Sequence, residues 1–278
     1  MNRPWAKIAL FLLLTILFSL VVWLPAALGR PPLLGGQANA LMLMWSPGLA
    51  AIVTRLVIQR NLEGMGWKPR TPAVLLLALV LPVLYAGPVY GLVWATDIGG
   101  FDPGAWAGPD QSPLAGLVQM AAFGVLTGLI AATGEEIGWR GLLVPELAKR
   151  MRFAPLALVS GLIWASWHMP MMMLAGYHGS GTPFAYSLAC FYAMILALGT
   201  VMAWMTLRTG SFWPAALLHA THNLFVQTVF DSATVARGAT PWLTGEFGIG
   251  LVITLTIAAL LMIRFGGKPK APARQNET

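Results

Sequence analysis

KIALFLLLTILFSLVVWLPAAL, residues 7–28, decides the fold class. After Lys7 it carries no charge for 21 residues, and a helix of about 20 apolar residues crosses the ~30 Å hydrocarbon core of a bilayer. Arg3 and Lys7 ahead of it give it the look of a signal peptide. Its apolar run exceeds the 7–15 residues of a typical signal core, however, and no A-x-A site follows, so it reads as a retained anchor. Seven further stretches repeat the pattern: 40–58, 73–95, 113–133 continuing toward 144, 154–175, 184–207, 212–230 and 247–264. The expectation is an all-α, polytopic helix bundle of about eight transmembrane spans, a single domain over 1–265. The polar remainder, 266–278, reads as a disordered tail.

Composition agrees. Of 278 residues 57% are hydrophobic and 10% charged, against roughly 25% charged in soluble domains. So little polar side chain cannot wet a globule of this size, and lipid is the main solvent. The single cysteine, Cys190, excludes an internal disulfide framework and a cysteine zinc cluster. The net charge of +7 does not point to nucleic acid, because no basic stripe interleaved with aromatics is present. The cations instead flank the spans. With a cytoplasmic N-terminus, Arg55, Arg60, Lys68 and Arg70 fall inside after the second span. Lys149, Arg150 and Arg152 follow the fourth, Arg208 the sixth, and Arg264, Lys268, Lys270 and Arg274 the eighth. Only Arg30 and Arg237 fall outside, while Asp97, Asp102, Asp110, Asp231 and Glu246 occupy outer loops. The positive-inside rule thus favours eight spans with both termini cytoplasmic, in a bacterial inner membrane.

Three clusters do not belong in lipid, where an ionised side chain costs about 2.5–3.5 kcal/mol on insertion scales. In Gly134-Glu135-Glu136-Ile137-Gly138-Trp139-Arg140, Glu136 and Arg140 are i and i+4 and share a face as an ion pair. Glu135 is rotated by ~100° and points elsewhere. Both glutamates could lie past the membrane edge, simply solvated. In a dry cavity, a carboxylate left without a cation suits a general base near neutral pH. The second cluster, Trp164-Ala165-Ser166-Trp167-His168, places an indole one turn from an imidazole; alone, such a histidine reads as a satisfied core residue. In the third, His219-Ala220-Thr221-His222-Asn223, His219 and Asn223 share a face, with His222 one turn from His219. His178, in a Gly/Ser-rich loop, reads as an exposed histidine.

A carboxylate, two imidazoles and an amide from three spans make a hydrolytic set: water activated by Glu135 with His168, and an oxyanion held by His219 and Asn223. The same groups, Glu135, His168 and His219, are the candidates for holding a zinc, although H-E-x-x-H is absent. The preferred reading requires no cofactor. Counted from the cytoplasmic end at ~1.5 Å per residue, His219 lies about 10 Å deep and His168 about 20 Å. Convergence therefore asks for a tilt, a kink, or a fifth span starting later than Ala154.

Glu135-Glu136-x-x-x-Arg140, aromatic-x-x-x-His168 and His219-x-x-x-Asn223, in that order over 128–230, resemble the CPBP (Abi) intramembrane proteases, which include the type II CAAX prenyl endopeptidases. The resemblance implies an eight-helix membrane fold and hydrolysis of a peptide bond in a membrane protein or peptide, lipid-modified or not. It implies Glu135 as water-activating base, His168 as its partner, His219 and Asn223 as the oxyanion pair, and Glu136–Arg140 as a helix lock. The family's second motif usually begins with Phe, and here Trp164 keeps the aromatic wall. His222 lies outside the motifs and reads as a packing residue or as one that supports the site residues from behind. The competing reading is a proton-linked transporter or a non-catalytic immunity protein, since intramembrane Glu and His also build proton relays.

Overall fold

The computed structural model describes residues 4–267. Arg3 and the tail from residue 268 onward, with Lys268, Lys270 and Arg274, lie outside the described residues. The chain is helical almost throughout, because in hydrocarbon a backbone N–H or C=O finds no water and must bond within its own segment. The helices run α1 Pro4–Ala27, α2 Gly36–Ile58, α3 Pro72–Ala95, α4 Pro113–Gly138, α5 Val144–Ala148, α6 Phe153–Leu174, α7 Phe184–Thr209, α8 Trp213–His222, α9 Thr240–Leu243 and α10 Ile249–Phe265. Two π-helical segments, Trp139–Leu143 and Asn223–Phe230, continue α4 and α8. A two-stranded antiparallel ribbon, β1 Gly100–Phe101 against β2 Thr234–Val235, ties two connecting loops together.

Among the described residues six helical segments are long and apolar enough to span a bilayer: Trp5–Ala27, Gly36–Ile58, Pro72–Ala95, Pro113–Ala148, Phe153–Leu174 and Phe184–Thr209. The other two expected spans are present as shorter helices. The 212–230 stretch is α8, ten residues long, followed by a π segment. The 247–264 stretch is α10, of 17 residues. The seventh run differs from the first six because it carries two histidines and changes its winding beside them.

Packing follows the apolar surface. α2 lies between α1 and α4, α4 also packs on α8, α7 holds α6 and α10, and α3 joins α8 to α10. α4 itself has two characters. Its first half faces outward, with Leu114 70% and Phe123 63% exposed, a surface fit for lipid chains. From Ala132 onward it is buried. Gly134 and Gly138, four apart on one face, allow this entry. A Cβ at Gly138 would stand 2.6 Å from Cβ of Pro47, and one at Gly134 would stand 2.7 Å from the Trp45 ring. Small residues at this spacing let two membrane helices approach closely. The contact presses one face of α4 on α2 and turns the residues between the glycines, Glu135 and Glu136, into the core.

Candidate active site

Glu135 is 2% exposed and Glu136 fully buried, so neither lies past the membrane edge in solvent. Glu135 Oε2 accepts hydrogen bonds from Trp164 Nε1 at 2.8 Å and from Trp139 Nε1 at 3.2 Å. Indole nitrogen only donates, so both contacts hold the carboxylate without contributing a formal charge. Glu136, one residue on, points the other way. Its Oε1 accepts from Arg140 Nη1 and from His219 Nδ1, each at 2.9 Å, while Oε2 is buried without a partner. Arg140 also lies 4.1 Å over the ring of Trp164, a placement that favours a cation on an indole face.

Trp164 is the hub that joins the three clusters. Its ring centroid stands 5.4 Å from that of His219 and 6.0 Å from that of His168. The Glu135 charge acts electrostatically on both imidazoles. The depth mismatch is resolved without a late helix start, for α6 begins at Phe153. Trp164, one turn before His168, reaches the level of His219 and carries Glu135 with it. Trp164 thus does more than keep an aromatic wall: a phenylalanine would supply the ring but no N–H for Glu135.

Partners fix the proton positions on the rings. His168 Nδ1 lies 2.9 Å from the carbonyl oxygen of Trp164. A carbonyl only accepts, so Nδ1 carries the proton and neutral His168 keeps a basic lone pair on Nε2. His219 Nδ1 likewise donates to Glu136, and its Nε2 donates only when the ring is an imidazolium. His168 is half-buried and rests against Trp167 and Phe191, with ring centroids at 4.9 Å and 5.2 Å. Asn223 is half-buried, one turn beyond His219, at the first residue of the second π segment. Among the described residues no hydrogen bond joins its amide to the other five groups. Each π segment contains a residue of the clusters, Arg140 in the first and Asn223 in the second, and inserted π turns frequently mark functional sites.

The donor set bears on zinc. Among the described residues no three His, Cys, Asp or Glu side chains are arranged to hold a metal ion. Glu135 Oε2 already receives two indole protons, and His219 Nδ1 is committed to Glu136.

Several polar residues near the site carry no motif. His222 is buried, receives the Tyr85 hydroxyl on Nδ1 at 2.5 Å and donates from Nε2 to Glu246 at 3.1 Å. It is a member of a polar network with Tyr85 and Glu246. Tyr177 donates to the same Glu246 at 2.5 Å. A histidine three residues from another was the only sequence signal for this second network, and it did not name the partners. His178 is exposed against Phe184.

Residues 117–225 match the model of the family described as type II CAAX prenyl endopeptidase Rce1-like, a stretch that holds all three clusters. Over 157 residues the chain is 29% identical to CAAX prenyl protease 2 of Methanococcus maripaludis, covering 55% of this chain and 51% of that protein. The chain therefore spans about half the length of the curated relative it matches. Over residues 117–225, then, this chain is similar to the type II CAAX prenyl endopeptidase Rce1-like family.

Proposed function

We propose that the protein is an intramembrane endopeptidase that hydrolyses a peptide bond in a membrane-associated peptide. The observation that carries this reading is the Trp164 hub, which gathers an uncompensated carboxylate and two imidazoles in a buried setting. Glu135 takes a proton from a water molecule, and the hydroxide oxygen forms a bond to the scissile carbonyl carbon. The carbonyl π pair moves onto oxygen, where the His219 imidazolium, its charge balanced by Glu136, donates from Nε2 together with the Asn223 amide. When the tetrahedral intermediate collapses, the C–N bond breaks and the proton held by Glu135, shared with His168 Nε2, passes to the leaving amine. Each residue acts on water, on the oxyanion or on the leaving nitrogen, and the charges balance at every step.

The relative's name, CAAX prenyl protease 2, makes a prenylated peptide one natural probe. The same sequence with and without the lipid, assayed side by side, separates a peptide requirement from a lipid requirement. The decisive experiment is cleavage of a membrane peptide by the purified protein in lipid, with Glu135→Gln and His168→Ala as comparators. Loss of cleavage in both variants with retained folding supports the mechanism. Wild-type rates in both sink it, and flux that depends on a proton gradient in place of cleavage would favour transport. Zinc content, and activity after chelation, checks the metal-free form: stoichiometric zinc lost from His168→Ala overturns it.

A further inference from the structure

Glu246 stands in the short connection between α9 and α10 and is only 6% exposed. Burying a carboxylate costs several kcal/mol unless hydrogen bonds replace its water, and three side chains do so here. His222 donates to Oε1, Tyr177 to Oε2, and Gln227 from the second π segment adds a third contact. Burial alone would push the Glu246 carboxyl up; these donors and the His222 imidazole outweigh it and hold the pKa at about 2. The Tyr177 hydroxyl is pushed the other way, well above its usual value, by burial and then by the Glu246 charge, so it stays a donor.

Tyr177 connects this anion to the catalytic set. It lies in the loop after α6, and its ring stacks on His168 with centroids 6.3 Å apart and planes 28° from parallel. Phe191 packs against both His168 and Tyr177, and Phe247, next to Glu246, touches both Phe191 and Tyr177. The strap Glu246–Phe247 thus supplies a hydrogen-bond acceptor and a ring that together fix Tyr177 against the imidazole. The hydroxyl is redundant for packing alone, since the ring contacts do not use it.

We propose that Glu246 is a positioning residue of the candidate site, holding Tyr177 by its hydroxyl so that the tyrosine ring sets the orientation of the His168 imidazole. The proposal rests on the hydrolytic reading above. The Trp164 carbonyl fixes His168 Nδ1, Trp167 and Phe191 meet the ring edge to face, and Tyr177, stacked within 28° of parallel, limits its remaining swing about that bond. An imidazole that wanders from the shared proton slows the chemical step without loosening the substrate, and misplacement of about 1 Å can cost up to a hundredfold.

The test uses the full chain in lipid and a cleavable membrane peptide. Tyr177→Phe keeps the ring and deletes the hydroxyl. Glu246→Ala removes the acceptor, and Glu246→Gln retains one oxygen to receive Tyr177. The expected result is a fall in kcat of about tenfold for Tyr177→Phe and for Glu246→Ala, with KM within twofold of wild type. Glu246→Gln recovers part of the loss, and Tyr177→Phe combined with Glu246→Ala is no slower than the slower single variant. Because Glu246→Ala also strips His222 of its acceptor, its folded fraction is measured by thermal melting. If that variant unfolds, Tyr177→Phe, which disturbs less, decides between the outcomes. Unchanged kcat in Tyr177→Phe, or losses that multiply in the double variant, overturns the inference. Cleavage that survives Glu135→Gln defeats the hydrolytic reading itself. Cleavage abolished by Glu135→Gln yet untouched in kcat by Tyr177→Phe defeats the positioning role alone.

Discussion

Glu135 and Glu146 are eleven positions apart in one continuous helical run, and both are buried, yet their surroundings are opposites. Glu146 Oε1 is met by Lys149 at 2.9 Å and by Lys7 and Arg55 at 3.4 Å each, with Gln59 bridging Lys7 and Arg55. Three cations converge on one carboxylate, and they arrive from α1, from α2 and from the end of α5. Such a cluster locks helices together. Glu135 is held by two neutral indole donors that fix its position and leave its negative charge standing. The same residue type in the same helix run thus meets three cations at one position and two neutral indoles at the other.

That contrast can be broken from either end. The largest effect is expected at Glu135: Glu135→Gln should reduce cleavage by at least about a hundredfold, the range for loss of a general base, while the melting temperature stays near wild type. Equal loss of folding would show that Glu135 is a fastener too. Glu146→Ala should do the reverse. Removing the partner of buried cations costs about 3–5 kcal/mol, read as a lowered melting temperature and poor yield. Protein that still folds should keep most of its activity per folded molecule.

Trp164→Phe sharpens the comparison between these extremes. It keeps the ring against His168 and His219 but deletes the 2.8 Å hydrogen bond to Glu135. A hydrogen bond to a charged group contributes about 1.5–3 kcal/mol, so the variant should lose about tenfold in kcat or more. An unchanged kcat would mean that Trp139 alone positions the carboxylate. The smallest effect is expected at Lys149, whose side chain is 30% exposed. Lys149→Ala should change stability by less than about 1 kcal/mol in a urea or thermal melt, because partly exposed ion pairs are weak. A larger loss would show that all three cations are needed to offset the burial of Glu146.

The motif residues were legible because a helix repeats every 3.6 residues. The i, i+4 spacing of Glu136 and Arg140 is enough to put them on one face, and the structure joins them at 2.9 Å. The contribution of Trp164 was only half legible. The sequence marked an aromatic one turn from His168, but whether its N–H reaches Glu135 depends on how α6 is rotated against α4. Tyr177, Glu246 and Tyr85 were not legible at all, lying 45, 24 and 137 positions from His222. Their contacts cross loops and helices with no local spacing to announce them. The two π segments were equally silent, since an extra residue per turn leaves no mark in an apolar run.

By itself the sequence determined that this chain is a membrane helix bundle and which polar residues are out of place in it. Hydrocarbon enforces long apolar helices and makes every buried charge an exception that can be read residue by residue. Only the tertiary structure decided how far each helix extends, that Glu146 is a fastener while Glu135 is held by indoles, and that Glu246 reaches His168 through Tyr177. Those outcomes depend on the rotation, depth and contact of one helix against another, and such relations between distant segments are written in no single stretch of the chain.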